Sequence, residues 1–291
     1  MLRRLFVVAI LAVLMFAVVG SVGAITWGQP DGNGHPNVVA ILFRQQGVNG
    51  FFSCTGTLLT PYVVLTAGHC TESEGVANTA TWVRNDPNID ALLASERPNY
   101  PNTTAWLNAT WSPGQAVPHP QFADYAQFPN TYDIGLVLLS KPIYVEEYGA
   151  MPTLGQFDYL RTGRGAPENR RAVVVGYGLQ GRIPAFAADF WERYVGQTTV
   201  INTGQSGVAG YQNFVFTNNP GQGTGVGGTC SGDSGGPAFW VNPATGEETN
   251  VVMAVNSYSI TPQCNGNDYQ FRTDIADALD FVNPYLGFVP N

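Results

Sequence analysis

Three short segments of this chain carry residue types that do chemistry in combination: Leu65-Thr-Ala-Gly-His69-Cys70, Thr131-Tyr-Asp133-Ile-Gly-Leu-Val-Leu-Leu139, and Gly228-Thr-Cys230-Ser-Gly232-Asp233-Ser234-Gly235-Gly236-Pro237. A serine hydroxyl is a poor nucleophile at neutral pH. It needs an imidazole to take its proton and a carboxylate to hold that imidazole in the right tautomer. Ser234, His69 and Asp133 are the candidates for these roles. His69 stands where an apolar run ends and beside a cysteine, whereas His35 and His119 precede Pro36 and Pro120 and read as loop residues. Asp133 immediately precedes a strongly apolar strand, which fixes its carboxylate at the rim of a packed core. The nearest rival, Asp124, lies in a Pro-, Gln- and Tyr-rich loop with nothing to hold it. The glycines around Ser234 suit a site where an oxyanion must meet backbone N–H groups that no side chain obstructs, and Gly235 and Gly236 allow close packing behind the nucleophile.

The elements that must position these residues are short strands. Apolar or alternating runs recur between turn-forming clusters at Val38 to Phe43, Tyr62 to Thr66, Ile134 to Leu139, Ala172 to Val175, Phe214 to Thr217, Ala238 to Val241 and Val251 to Val255. Such punctuation by Gly and Pro argues for sandwiches or barrels rather than a parallel sheet with crossover helices. One good helix is evident. It is expected to start near Asp274 as N-cap and to place Ile275, Leu279, Val282 and Leu286 on one face, with Pro284 fraying its end. Lys141 to Arg171 reads as a linker between two halves. Glu72 to Trp111 reads as irregular; within it, Asn102-Thr-Thr and Asn108-Ala-Thr are glycosylation acceptors in a eukaryotic host and plain polar loop otherwise.

Composition bounds the function. A basic start, an apolar run from Leu5 to Val19 and small residues up to Ala24 have the layout of a secretory leader, so residues 1–24 are expected to be removed and the mature chain to begin at Ile25. The apolar run is short for a bilayer anchor, so the expectation is a secreted protein without stable membrane association. Four cysteines in an exported chain imply two disulfides, with three connectivities open, and neither pair has the two-residue spacing of a zinc site. A net charge of −8 offers no basic face to nucleic acid or an anionic membrane.

The three segments, in the order His, Asp, Ser, resemble the chymotrypsin family of serine proteases, and the likeness runs from Ile25 through the final helix. The resemblance implies an all-β fold of two antiparallel β-barrels with a C-terminal helix. The first barrel, residues 25–141, would carry His69 and Asp133. A linker over 142–170 would lead to residues 171–291, with Ser234 on the second barrel. It implies peptide-bond hydrolysis through an acyl-enzyme without a cofactor, acting on protein or peptide substrates and open to protein inhibitors. By the same likeness, Gly232 and Ser234 donate to the oxyanion; Cys54 pairs with Cys70 and Cys230 with Cys264; Ser257, Tyr258 and Ser259 pair with the substrate backbone. Gly228 takes the place of the aspartate that trypsin-like members hold at the pocket floor, Asp268 stands on the opposite wall, and Ser259 narrows the entrance. The result is mixed specificity with some basic preference. Ile25 and Asp233 would form the activating pair of a freed amine and a buried carboxylate. Glu72 and Glu74 lie near a loop that binds calcium in some relatives and read equally well as solvated surface. Two rivals stand beside this reading. The esterase elbow G-x-S-x-G fits Gly232 to Gly236, but its histidine follows the serine and this sequence has none after His119. The other is a secreted binding protein on the same fold without catalysis.

Overall fold

The computed structural model describes residues 25–162, 167–183, 186–188, 191–203, 210–218, 227–261 and 263–290. The leader read at residues 1–24 lies outside them.

The first half is a closed antiparallel barrel of β1 (Val38–Arg44), β2 (Phe52–Thr60), β3 (Val63–Thr66), β4 (Ala80–Arg84), β5 (Ser112–Pro118) and β6 (Gly135–Leu139). Around the barrel the order is β1, β2, β3, β6, β5, β4 and back to β1. The run Val-Val-Ala-Ile-Leu-Phe in β1 is buried throughout. Its residues face the barrel interior on one side and packed neighbours on the other, so an apolar run replaces alternation. The second half is built from β7 (Arg171–Gly176), β8 (Tyr194–Asn202), β9 (Asn213–Thr217), β10 (Pro237–Val241), β11 (Glu248–Ser259) and β12 (Asn267–Arg272). They run in the order β8, β7, β10, β11, β12, β9, and pairing of β8 with β9 closes the second barrel. The molecule is thus two closed six-stranded antiparallel barrels with a C-terminal helix.

One large apolar cluster runs from the first barrel into Val173, Val175, Tyr177 and Phe239 of the second half and onto Phe281 of the C-terminal helix. The barrels therefore share a packed face, and the cleft at its edge is held by core packing. A buried arginine reinforces the seam. Arg193 pairs with Asp31 at 2.8 Å and donates to the carbonyls of Val38 and Asn85 at 3.0 Å.

Two local expectations are corrected. The stretch Glu72 to Trp111 is not irregular, since it holds a short hairpin, strand β4 and two helices, α1 (Ile89–Ser95) and α2 (Thr103–Thr110). Asn88 and Asn102 cap these helices, their side chains accepting from the N–H of Ala91 and Ala105. The C-terminal helix, α3 (Ala276–Val282), has Ile275 at its N-cap and no side-chain cap. Asp274 is buried instead, paired with Arg272 at 3.0 Å and accepting the Phe157 N–H at 2.8 Å. A buried guanidinium outcompetes a helix N–H for that carboxylate.

Candidate active site

Strand register brings His69 to Asp133. Strands β3 and β6 pair with Thr66 opposite Gly135, so the turn that follows β3 and the segment that precedes β6 leave the barrel at the same end. His69 lies in that turn, a single 3₁₀ turn over Gly68–Cys70. Its Nδ1–H donates to Asp133 Oδ2 at 2.9 Å, and its backbone N–H donates to Oδ1 at 2.9 Å. Among the described residues Nε2 has no partner, so it is the nitrogen left for the cleft. Asp133 is fully buried and also accepts from the Ser257 hydroxyl. Burial opposes its charge, yet the His69 imidazole and these donors outweigh that and hold the carboxyl below its ordinary range. Burial likewise opposes the imidazolium, and the charge of Asp133 outweighs it, raising His69 above 6.5.

Tyr125 is a partner that the sequence reading missed. Its hydroxyl donates to Asp133 Oδ2 at 2.9 Å and lies 3.0 Å from His69 Nδ1. It thus touches both the carboxylate and the imidazole. The signal was weak, because Tyr125 belongs to the loop that also holds Asp124, and both adopt positive φ. Asp124 itself makes no bond to His69; its charge adds modestly to the rise of the imidazole.

Ser234 comes from the second half on the turn before β10. The turn is sewn to the first barrel: the Ser234 carbonyl accepts the Thr55 N–H at 2.8 Å, and the Gly232 carbonyl accepts the Thr55 hydroxyl at 2.9 Å. Gly232 and Gly235 have φ of +99° and +80°. A Cβ at Gly235 would fall 2.0 Å from Thr66 Oγ1, so only glycine permits this approach. Among the described residues, neither the N–H of Gly232 nor that of Ser234 donates to a protein acceptor. Cys54 is bonded to Cys70 and Cys230 to Cys264, with Cα atoms 6.2 and 5.0 Å apart. Cys54, His69 and Cys70 are the one cluster with metal-ligand spacing among the described residues, and the disulfide occupies both sulfurs. Glu72 and Glu74 belong to no such cluster.

Two cavities meet at Ser231 and Ser234. The smaller, about 290 Å³, is lined by Ser257, Tyr258, Ser259, Thr229 and Asp268 among others. The larger, about 820 Å³, holds His69, Gly232 and a set of aromatic side chains. Asp268 is 2 % exposed; Oδ1 accepts from Asn218 at 2.6 Å, and Oδ2 accepts the N–H and hydroxyl of Thr229 at 2.8 and 2.6 Å. Burial pushes it up to about 7, against the pull of those donors. Gly228 does not line the cavity; it is bonded to Thr26, and a Cβ there would lie 1.7 Å from Asn218 Oδ1. The space a trypsin-like aspartate needs is filled by Asn218. Ile25 is fully buried in the second core, and Asp233 accepts from the N–H of Gly178 and Cys230 at 2.8 and 2.9 Å. Among the described residues it has no cationic partner, and burial pushes it up to about 7.

The trypsin family's sequence model matches residues 25–282. The chain belongs to the trypsin family. This trypsin-family chain is 25 % identical over 205 residues to the clotting factor G beta subunit of Tachypleus tridentatus, a match that takes in 67 % of the chain and 59 % of that relative. It therefore spans less than two thirds of that protein's length. Among solved structures it is similar to HL collagenase, with a TM-score of 0.61 and 17 % identity, over 92 % of this chain and all of that one. At such identity the likeness speaks for the shared fold.

Proposed function

We propose that this trypsin-family chain is a secreted serine endopeptidase that cleaves protein or peptide substrates through an acyl-enzyme on Ser234. The observation that carries this reading is the buried Asp133 carboxylate holding His69 through Nδ1, with Nε2 left to a cleft that Ser234 also lines. His69 takes the serine proton as Oγ attacks the scissile carbonyl. The N–H groups of Gly232 and Ser234 receive the oxyanion, and His69 then hands its proton to the leaving amine. Water repeats the cycle on the ester. Every proton passes through His69, so no cofactor is required, and protein inhibitors that present a peptide loop fit the same cleft. The polar cavity around Asp268 takes the side chain before the scissile bond, beside a substrate backbone paired with Ser257 to Ser259. Release of a leader before Ile25 supplies the amine that pairs with Asp233 and shapes the turn.

A fluorophosphonate probe tests this reading. The expected result is a single adduct on Ser234, absent in Ser234→Ala and strongly reduced in His69→Ala. A folded protein that takes no label and cleaves no peptide library is a binding protein on a protease fold.

A further inference from the structure

The smaller cavity adjoins the acyl side of the reaction, and the larger one belongs to the other side. His69, which returns its proton to the departing amine, lines the larger cavity and not the smaller. What enters the larger cavity is therefore the peptide on the leaving-group side of the scissile bond. Its walls are apolar. Phe51 and Phe52 stand on the β1–β2 hairpin, Leu93 and Trp106 on the helices α1 and α2 inserted between β4 and β5, and Trp191 just before β8. Phe51 and Phe52 remain 36 % and 38 % exposed, and large apolar side chains left open beside a reactive centre mark a binding surface.

These walls are built in advance. Phe52 stacks on Phe43 at 5.7 Å, and Phe51 packs against Trp82 at 6.0 Å beneath the Arg44 guanidinium. The inserted helices are anchored at both ends. Trp106 donates to Glu96, which Arg84 holds through two further bonds, and the Ile89 N–H donates to the Trp191 carbonyl at 3.0 Å. A pocket whose side chains are already ordered loses little entropy when filled. Among the described residues Asp90, exposed at the edge of α1, is the one charged side chain lining it apart from His69, and an acidic side chain entering these apolar walls gives up its hydration.

We infer that the inserted helices make this cavity a specificity pocket for a bulky apolar side chain, leucine or an aromatic, on the leaving-group side of the scissile bond. The inference rests on the acyl-enzyme reading above and deepens it by naming a substrate class. Its test uses the purified protein and one ester substrate, whose acyl-enzyme is partitioned between water and added amino-acid amides. Leucine and phenylalanine amides are expected to capture the acyl group at least about tenfold better than glycine amide, with aspartate amide poorer still. Leu93→Lys is expected to cut the phenylalanine-to-glycine ratio severalfold and to raise capture by aspartate amide; Phe52→Ala lowers the same ratio. Each ratio is read only on protein that has formed the acyl-enzyme, so a misfolded fraction does not count. Equal capture of all amides overturns the pocket, and so does a ratio that neither variant moves. Failure to form any acyl-enzyme overturns the peptidase reading itself, and this one with it.

Discussion

His69 and Asp133 reach each other through strand register, whereas Ser234 is presented by a turn that no strand contains. In the first barrel, the β3–β6 pairing sets the separation of the two segments, and four donors converge on one carboxylate that is buried before substrate arrives. In the second half, the shape of the turn depends on two glycines at positive φ, on Thr55 from the other barrel, and on buried Asp233, which accepts from the N–H of Gly178 and Cys230 and has no cation beside it among the described residues. On the proposed reading, the contrast separates a rigid base from a conditional nucleophile.

The largest expected effect tests the rigid side. Asp133→Asn keeps the volume of the side chain, but its amide nitrogen cannot accept the bonds that His69 Nδ1, Tyr125 and Ser257 now donate, and the preferred tautomer of His69 reverses. Mis-setting the imidazole in this way is expected to lower kcat about ten-thousand-fold. The pH profile gives the sign independently. Asp133 raises the His69 imidazole above 6.5 while burial pulls it down, so removing the charge leaves burial in command. The acid limb of kcat/KM, which reports the imidazole that must be neutral to act, should lie above 6.5 in the parent and fall in the variant. A limb that stays in place means that Asp133 does not govern the base.

The conditional side is tested at the N-terminus, with a smaller effect. Burial holds the Asp233 carboxyl up at about 7, far above its ordinary 3.8. A group raised in the folded state stabilises fully below its unfolded value, and the contribution is lost as pH climbs through the folded one. Protein with a few residues left before Ile25 should therefore lose thermal stability between about pH 4 and about pH 7 through this group. A freed Ile25 amine beside Asp233 would supply the missing cation and abolish that loss. Breaking a buried pair of this kind typically costs about 3 to 5 kcal/mol, and loss of one oxyanion donor about a hundredfold to a thousandfold in kcat. The extended form is expected to be slower by up to that factor. Equal turnover and equal pH dependence of melting in the two forms would show that the backbone donors of Gly178 and Cys230 suffice.

How much of this was legible in the sequence follows the same divide between register and loop. Runs such as Val38 to Phe43 and Ile134 to Leu139 announced themselves because a buried barrel strand is apolar along its length. Strand β5, Ser112–Pro118, with a proline at each flank of Gly-Gln-Ala-Val, carries no such pattern and exists because β4 and β6 hold it from both sides. Helices α1 and α2 are short, and Thr103, Thr104 and Thr110 weaken the helical signal of α2. Their caps, Asn88 and Asn102, read as ordinary loop polarity until the following N–H groups are in view. The motif around Ser234 was plain because glycine spacing is local chemistry. Tyr125 was not, because its contact with Asp133 depends on the path of a loop that no periodicity describes. Gly228 shows a third case: its identity was readable, but the reason for it, Asn218 filling the space, lies ten residues away in a bonded network.

The smallest expected effect concerns the acyl-side cavity, where charge rather than shape is at issue. Asp268 faces that cavity with both oxygens already accepting from Asn218 and Thr229, and burial holds it up at about 7. Below that value the carboxyl is neutral and offers a basic side chain nothing beyond a hydrogen bond. Above it the charge is present, and Lys or Arg before the scissile bond gains an ion pair. The ratio of kcat/KM for a Lys substrate over its Leu counterpart should therefore rise between about pH 6 and about pH 8, by severalfold and by no more than about tenfold per unit. Titration of His69 affects both substrates alike and cancels in the ratio. Asp268→Ala should flatten the profile at its low-pH level. Because it also strips three hydrogen bonds from Asn218 and Thr229, the variant is read by the slope of the ratio and not by its activity. A ratio independent of pH in the parent would mean that Asp268 serves only to brace the wall, and that the basic preference, if measured, arises elsewhere.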